Sequence, residues 1–166
     1  FTSNNAALAV VAIPQYARFA ETAGEWTLVL DNVNAPGNLG TIIRIADWYG
    51  IRHILCSTDT VDAFNPRVIA SAKGSFLRVK LHYGDLAPVL SQVQQPVYGA
   101  FLDGDSVHQL ALANPGGFIV LGNEANGISD AIAACVNRRV TIPAFGQAES
   151  LNVGIASAVI VDNLVR

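Results

Sequence analysis

The sequence predicts an α/β domain built on a mainly parallel sheet flanked by helices. Short apolar strand candidates alternate with helical segments from residue 26 to the end of the chain. Strands such as GFIVLG (117–122) show no polar alternation, so neither face is suited to water, as expected in a parallel sheet covered on both sides. With 166 residues and 51% apolar side chains, the chain has the material for one sizeable core.

Residues 1–24 are Ala-rich and weakly patterned, punctuated by Pro14 and Gly24, and read as a linker or the tail of another domain, with no core expected around them. WTLVLD (26–31) is the first strand, and after the turn NVNAPGN an apolar-periodic helix runs from about Leu39 to Tyr49, stopped by Gly50. HILC (53–56) is a second strand, NPRVIASAK (65–73) a helix entered through Pro66, and FLRVKL (76–81) a third strand by its period-two alternation. DLAPVLSQVQ (85–94) predicts a short helix, VYGAF (97–101) and GFIVLG strands, DAIAACV (130–136) a helix, and RRVTIP (138–143) the last strand before a final apolar helix.

Several classes are disfavoured by composition. No run of about eighteen apolar residues marks a membrane span, and no secretory signal opens the chain, so a soluble cytoplasmic protein is expected. Cys56 and Cys135 form no C-x-x-C pair and read as reduced thiols, so no zinc or other metal site is expected. A net charge of −3 argues against nucleic-acid binding through a bulk positive field. Locally, Arg67, Lys73, Arg78, Lys80 and His82 lie in a window without acidic residues, either a solvated basic face or a phosphate-facing patch. There is no methionine, even at position 1, which suggests that something upstream is missing.

In open parallel sheets, ligands gather beyond the C-terminal ends of strands. Three such loops are unusual: NAPGNLGTIIR with Asn38 and Arg44, GNEANGIS with Gly122 and Glu124, and the stretch after VTIP with Gly146, Glu149, Ser150 and Asn152. Each polar residue has an ordinary reading as well. Arg44 is either a surface arginine or a charge needing a partner among Ile42, Ile43 and Ile45; Glu124 suits a helix N-terminus, Ser150 an N-cap, and Asn38 a turn. Known nucleotide and hydrolase signatures fit poorly. There is no G-x-G-x-x-G, Gly122 to Gly127 lacks the following Lys-Ser/Thr of a phosphate loop, and no G-x-S-x-G surrounds Ser150.

Taken together, NAPGNLGTIIR, VLGNEANGIS and IPAFGQAESLNVGIASA resemble, in order and spacing, the three motifs of the SpoU/TrmH family of RNA ribose 2'-O-methyltransferases, within the SPOUT superfamily. With ASAKGSF, the resemblance covers roughly residues 26 to 166, and NNAALAVVAIP looks like the linker that follows a small RNA-binding domain in two-domain members. It implies residues 1–24 as linker and 25–166 as a catalytic domain with a C-terminal deep trefoil knot, in place of the Rossmann-like sheet that periodicity alone suggests. It implies S-adenosylmethionine as cofactor, held by loops at Leu102 to Gly104, at Leu121 and Gly122, and from Ile142 to Leu151. Arg44 matches the family's catalytic arginine, and Asn38, Glu124, Ser150 and Asn152 match the positions that hold the arginine, ribose and phosphate. The implied partners are a structured RNA, rRNA or tRNA and not DNA, and a second copy of the chain. Ala35, Ala144 and Gly154 depart from the usual Asp, Met and Ser. Two alternatives stand beside this reading: a non-catalytic RNA-binding module that keeps the fold, and a nucleotide-binding oxidoreductase.

Overall fold

A computed structural model describes residues 10–110 and 116–165. Among the described residues, eleven α-helices and strands follow in order: β1 (Trp26–Leu30), α1 (Pro36–Trp48), β2 (His53–Cys56), α2 (Pro66–Ala72), β3 (Lys80–Tyr83), α3 (Leu86–Leu90), β4 (Val97–Ser106), β5 (Gly117–Leu121), α4 (Asp130–Ala133), β6 (Arg138–Thr141) and α5 (Val153–Val165). The six strands form one sheet in the order β3-β2-β1-β5-β4-β6, with every pairing parallel. All strand C-termini therefore share one edge.

The strand pattern explains the layers. Trp26, Leu28 and Leu30 of β1, Ile54 and Cys56 of β2, and Ile119 and Leu121 of β5 face the larger core under α1, α2 and α5. Their alternates Val29, Leu55, Phe118 and Val120 face the smaller core under α3 and α4. On α1 the buried residues Leu39, Ile42, Ile43 and Ala46 recur at helical spacing, and α5 answers with Val153, Ser157, Ile160, Val161 and Leu164. The Tyr49 hydroxyl donates to Asp162 at 2.6 Å, fastening the end of α1 to α5.

The segment predicted as a strand over 76–81 folds otherwise. Lys73 and Gly74 turn the chain out of α2 with left-handed φ values of 51° and 89°, Ser75–Leu77 form a 3-10 turn, and the strand begins only at Lys80. Alternation in FLRVKL reflects Phe76 and Val79 packing beneath the helices, not a pleat. Arg78 grips Asp47 of α1 at 2.6 and 2.9 Å, holding that carboxyl below the usual carboxylate range and removing this guanidinium from any free basic patch. Elsewhere boundaries move: α1 starts at Pro36, α3 and α4 stop at Leu90 and Ala133, β6 ends at Thr141, and β4 runs on to Ser106.

The stretch before residue 25 is also more engaged than a bare linker. Phe19 meets His53, His82 and Phe118 edge-on with centroids 5.6, 5.7 and 6.2 Å apart, and covers the sheet face that the short α3 and α4 leave open. The Glu21 carboxylate accepts the backbone N–H of Gln95 at 2.9 Å and of Gln94 at 3.0 Å. Residues 1–9 and 111–115 lie outside the described residues, as does most of the predicted linker motif NNAALAVVAIP.

Beneath Phe19, His53 Nδ1 and His82 Nε2 share a hydrogen bond of 3.0 Å with the rings stacked. Burial, then the charge of Lys80, lowers the pKa of His53, against the pull of Glu25; burial, then its His53 neighbour and Lys80, lowers that of His82. Folding thus favours the neutral rings, so their contribution is fully present above the ordinary imidazole value of about 6.5 and is lost as pH falls below it. Thermal unfolding should show a midpoint that drops on acidification across that range, and His53→Gln/His82→Gln should flatten the profile.

Candidate functional site

At the C-terminal edge of the sheet, the segments after β5 and β6, the first turns of α5 and a buckle in β4 surround a crevice of about 870 Å³. The buckle arises because Ala100 and Asp105 both pair with Val140, so residues 101–104 leave the ladder. Gly104 returns the chain against β6, where a Cβ would lie 2.6 Å from the Arg139 carbonyl oxygen. Arg139 secures the buckle from outside, its guanidinium 3.5 Å from the Phe101 ring centroid and 2.5 Å from Asp103. That contact keeps the Asp103 carboxyl below its usual range.

The loop after β5 is closed by its own turn chemistry. Asn123 and Gly127 exchange backbone hydrogen bonds of 2.9 Å, and the Asn123 side chain accepts from Ala125 and Asn126 while donating to the Asn32 carbonyl at 2.8 Å. Asp31 accepts from the Ser129 N–H at 2.7 Å, which joins the β1 and β5 loops again. Gly122 is required here for space: a Cβ would sit 2.2 Å from the Gly127 carbonyl carbon.

Leu102, Leu121, Gly122, Glu124, Ile142, Ser150 and Leu151 all line the crevice, with Val153, Ala156 and Ile160 of α5 beside them. Asn38 and Asn152 connect its walls. Asn152 Oδ1 caps α5 by accepting from the N–H groups of Gly154 and Ile155 at 2.9 and 3.3 Å. Its amide donates to Asn38 Oδ1 at 3.0 Å, and the Asn38 amide donates to Glu124 Oε1 at 2.5 Å. The helix cap is therefore Asn152, and Ser150 is left exposed toward the crevice.

Arg44 is placed apart. Its exposed side chain lines a second hollow of about 590 Å³ with Thr41, Trp48, Gly154, Ile155 and Ala158, and is not among the residues lining the crevice. The two hollows lie on different sides of the first turns of α5. Sequence reasoning did not anticipate Asn32, Asp31, Asn123, Phe101 or Arg139; of these, only the N-x-x-N-G turn pattern carries a local signal. Among the described residues, no group of three or more His, Cys, Asp or Glu could hold a metal ion, and no helix is long and apolar enough to cross a membrane.

Residues 25–162 match the profile of the SpoU rRNA Methylase family. The chain is 34% identical over 140 residues to the 23S rRNA (guanosine(2553)-2'-O)-methyltransferase RlmP of Bacillus subtilis, covering 82% of this chain and 56% of that protein. A TrmH-family structure from Porphyromonas gingivalis aligns with a TM-score of 0.81 at 41% identity, over 89% of this chain and 62% of that one. The SpoU methyltransferase AviRb from Streptomyces viridochromogenes, in complex with the cofactor AdoMet, aligns with a TM-score of 0.77 at 25% identity, over 89% of this chain and 62% of that one. The chain thus spans little more than half the length of such relatives.

Gly122→Ala should drive a methyl group into the Gly127 backbone. Denaturant unfolding should show a loss of about 1–3 kcal/mol, the usual cost of overpacking.

Proposed function

The chain belongs to the SpoU rRNA Methylase family, and on that premise we propose that it transfers a methyl group from S-adenosylmethionine to a ribose 2'-hydroxyl of rRNA or tRNA, in the cytoplasm, as a homodimer. The observation that carries this reading is that Glu124, on the crevice wall, is hydrogen-bonded to Asn38 and through it to Asn152, one residue from each motif, beside apolar lining bounded by Gly122 and Gly127. Its volume suits a cofactor of this size. Leu102, Gly104, Leu121, Gly122, Ile142 and Leu151 are the residues assigned to hold the cofactor, because glycine lets backbone approach an adenine edge while the leucines flank its faces. The cofactor supplies a methyl group already activated on a sulfonium.

What remains for the protein is alignment and help for a very weak acid. Arg44 stays charged in proteins and so makes a poor base; it stabilises the developing alkoxide while water or a phosphate oxygen takes the proton. Ser150, exposed on the crevice wall, is assigned to the ribose and its phosphate, with Asn38, Glu124 and Asn152 as the frame around it. The knot implied by the family belongs to the same proposal. Its support is the return of the chain from the edge strand β6, through the exposed loop 144–152, to α5 packed on α1.

Arg44 reaches this chemistry only if its hollow and the crevice act as one site. A second copy seated on the α1–α5 face is what joins them in this reading. That face presents Trp48 at 85% and Ile155 at 56% exposure around Arg44, apolar surface of the kind that obligate interfaces cover.

Arg44→Ala should abolish methyl transfer, by roughly 10²–10³-fold or more for one lost donor, yet leave cofactor binding by calorimetry intact; retained turnover refutes the assignment. Trp48→Glu should run as a monomer in size exclusion and lose methyl transfer. A variant that stays dimeric and active would remove the α1–α5 face from the mechanism.

A further inference from the structure

Phe145 stands apart from the other described phenylalanines. Phe19, Phe64, Phe76, Phe101 and Phe118 are each at least partly buried, whereas Phe145 is 97% exposed, between Ala144 and Gly146 on the loop that closes the crevice. Burial of a phenylalanine side chain is worth about 1.5–3 kcal/mol, so one left in water at a binding crevice is a candidate for contact with a ligand. Among the crevice lining, Leu121, Ile128, Val153 and Ile160 are buried, whereas Phe145 is open to solvent and accessible to an incoming ligand.

The charges at the crevice say what kind of contact that is. Its lining includes the carboxylates of Asp103, Glu124 and Glu149 and no lysine or arginine among the described residues. Arg139, which grips the buckle, is already committed to Asp103 and Phe101. Within one copy this rim offers a polyanion no lysine or arginine for phosphate neutralisation, which leaves the faces of its bases as a source of attraction. Aromatic side chains stack on any base with little regard to sequence.

We infer that Phe145 is a base-stacking residue for the RNA substrate, holding a nucleobase at or next to the methylated ribose. This deepens the methyl-transfer reading and rests on it. The test uses the full-length protein, tritiated S-adenosylmethionine and total RNA from cells lacking the gene, with Phe145→Ala, Phe145→Trp and Phe145→Leu. The alanine variant should raise KM for RNA about tenfold, at low and high salt alike, with KM for S-adenosylmethionine unchanged and the thermal midpoint unmoved. Tryptophan should restore the RNA KM and leucine should not. An unchanged RNA KM overturns the inference. So does a parallel rise in the cofactor KM, which would make Phe145 a cover for the cofactor, or a change of oligomeric state, which would make it an interface residue. Methyl transfer by the wild type with equal transfer by Phe145→Ala sinks this inference alone; no transfer by the wild type to any RNA sinks the enzymatic reading with it.

Discussion

The meeting of the three motifs beside the crevice depends on one directed chain of hydrogen bonds. Backbone N–H groups at the start of α5 can only donate, so Asn152 must turn its oxygen toward them and its amide outward. That orientation obliges Asn38 to present its own oxygen to Asn152 and its amide to Glu124, which must accept. A helix terminus thereby sets the polarity of side chains on α1 and on the β5 loop. Because every member is committed in a single direction, the three segments hold one arrangement rather than several.

The sheet makes that meeting possible. With all strands parallel, the C-termini of β1, β5, β4 and β6 open on the same side, and β1, the first strand in sequence, lies inside the sheet next to the late strand β5. Asp31 N–H donates to the Leu121 carbonyl at 2.9 Å, carrying the ladder one step past the strands, so the loops that follow start in contact. The bulged β4 then supplies a wall that a regular strand would not, since residues 101–104 rise out of the ladder.

Much of this was legible in the sequence, for reasons that differ by element. β1 and β5 are continuous apolar runs and α1 carries a clear helical stripe, so local pattern was enough. FLRVKL misled because burial under helices can mimic strand alternation when a left-handed Lys73-Gly74 turn intervenes. The meeting of residues 38, 124 and 152 was suggested only by the order of the motifs, because no local rule brings them together. Ser150 looked like a helix cap by type, yet the cap went to Asn152, two residues on, where the first turn begins. The separation of Arg44 from the crevice was not legible at all: residue spacing along α1 does not reveal which side of α5 a side chain faces. Nor was the docking of Phe19 on the sheet, which depends on how little α3 and α4 cover.

The first turns of α5 divide their side chains between two cavities, Val153, Ala156 and Ile160 on one side and Gly154, Ile155 and Ala158 on the other. A helix advances about 100° per residue. A single insertion or deletion within this turn would therefore rotate each side chain out of its own cavity toward the other's, exchanging their walls at one stroke. Length changes along this stretch are forbidden by geometry even where individual substitutions are harmless.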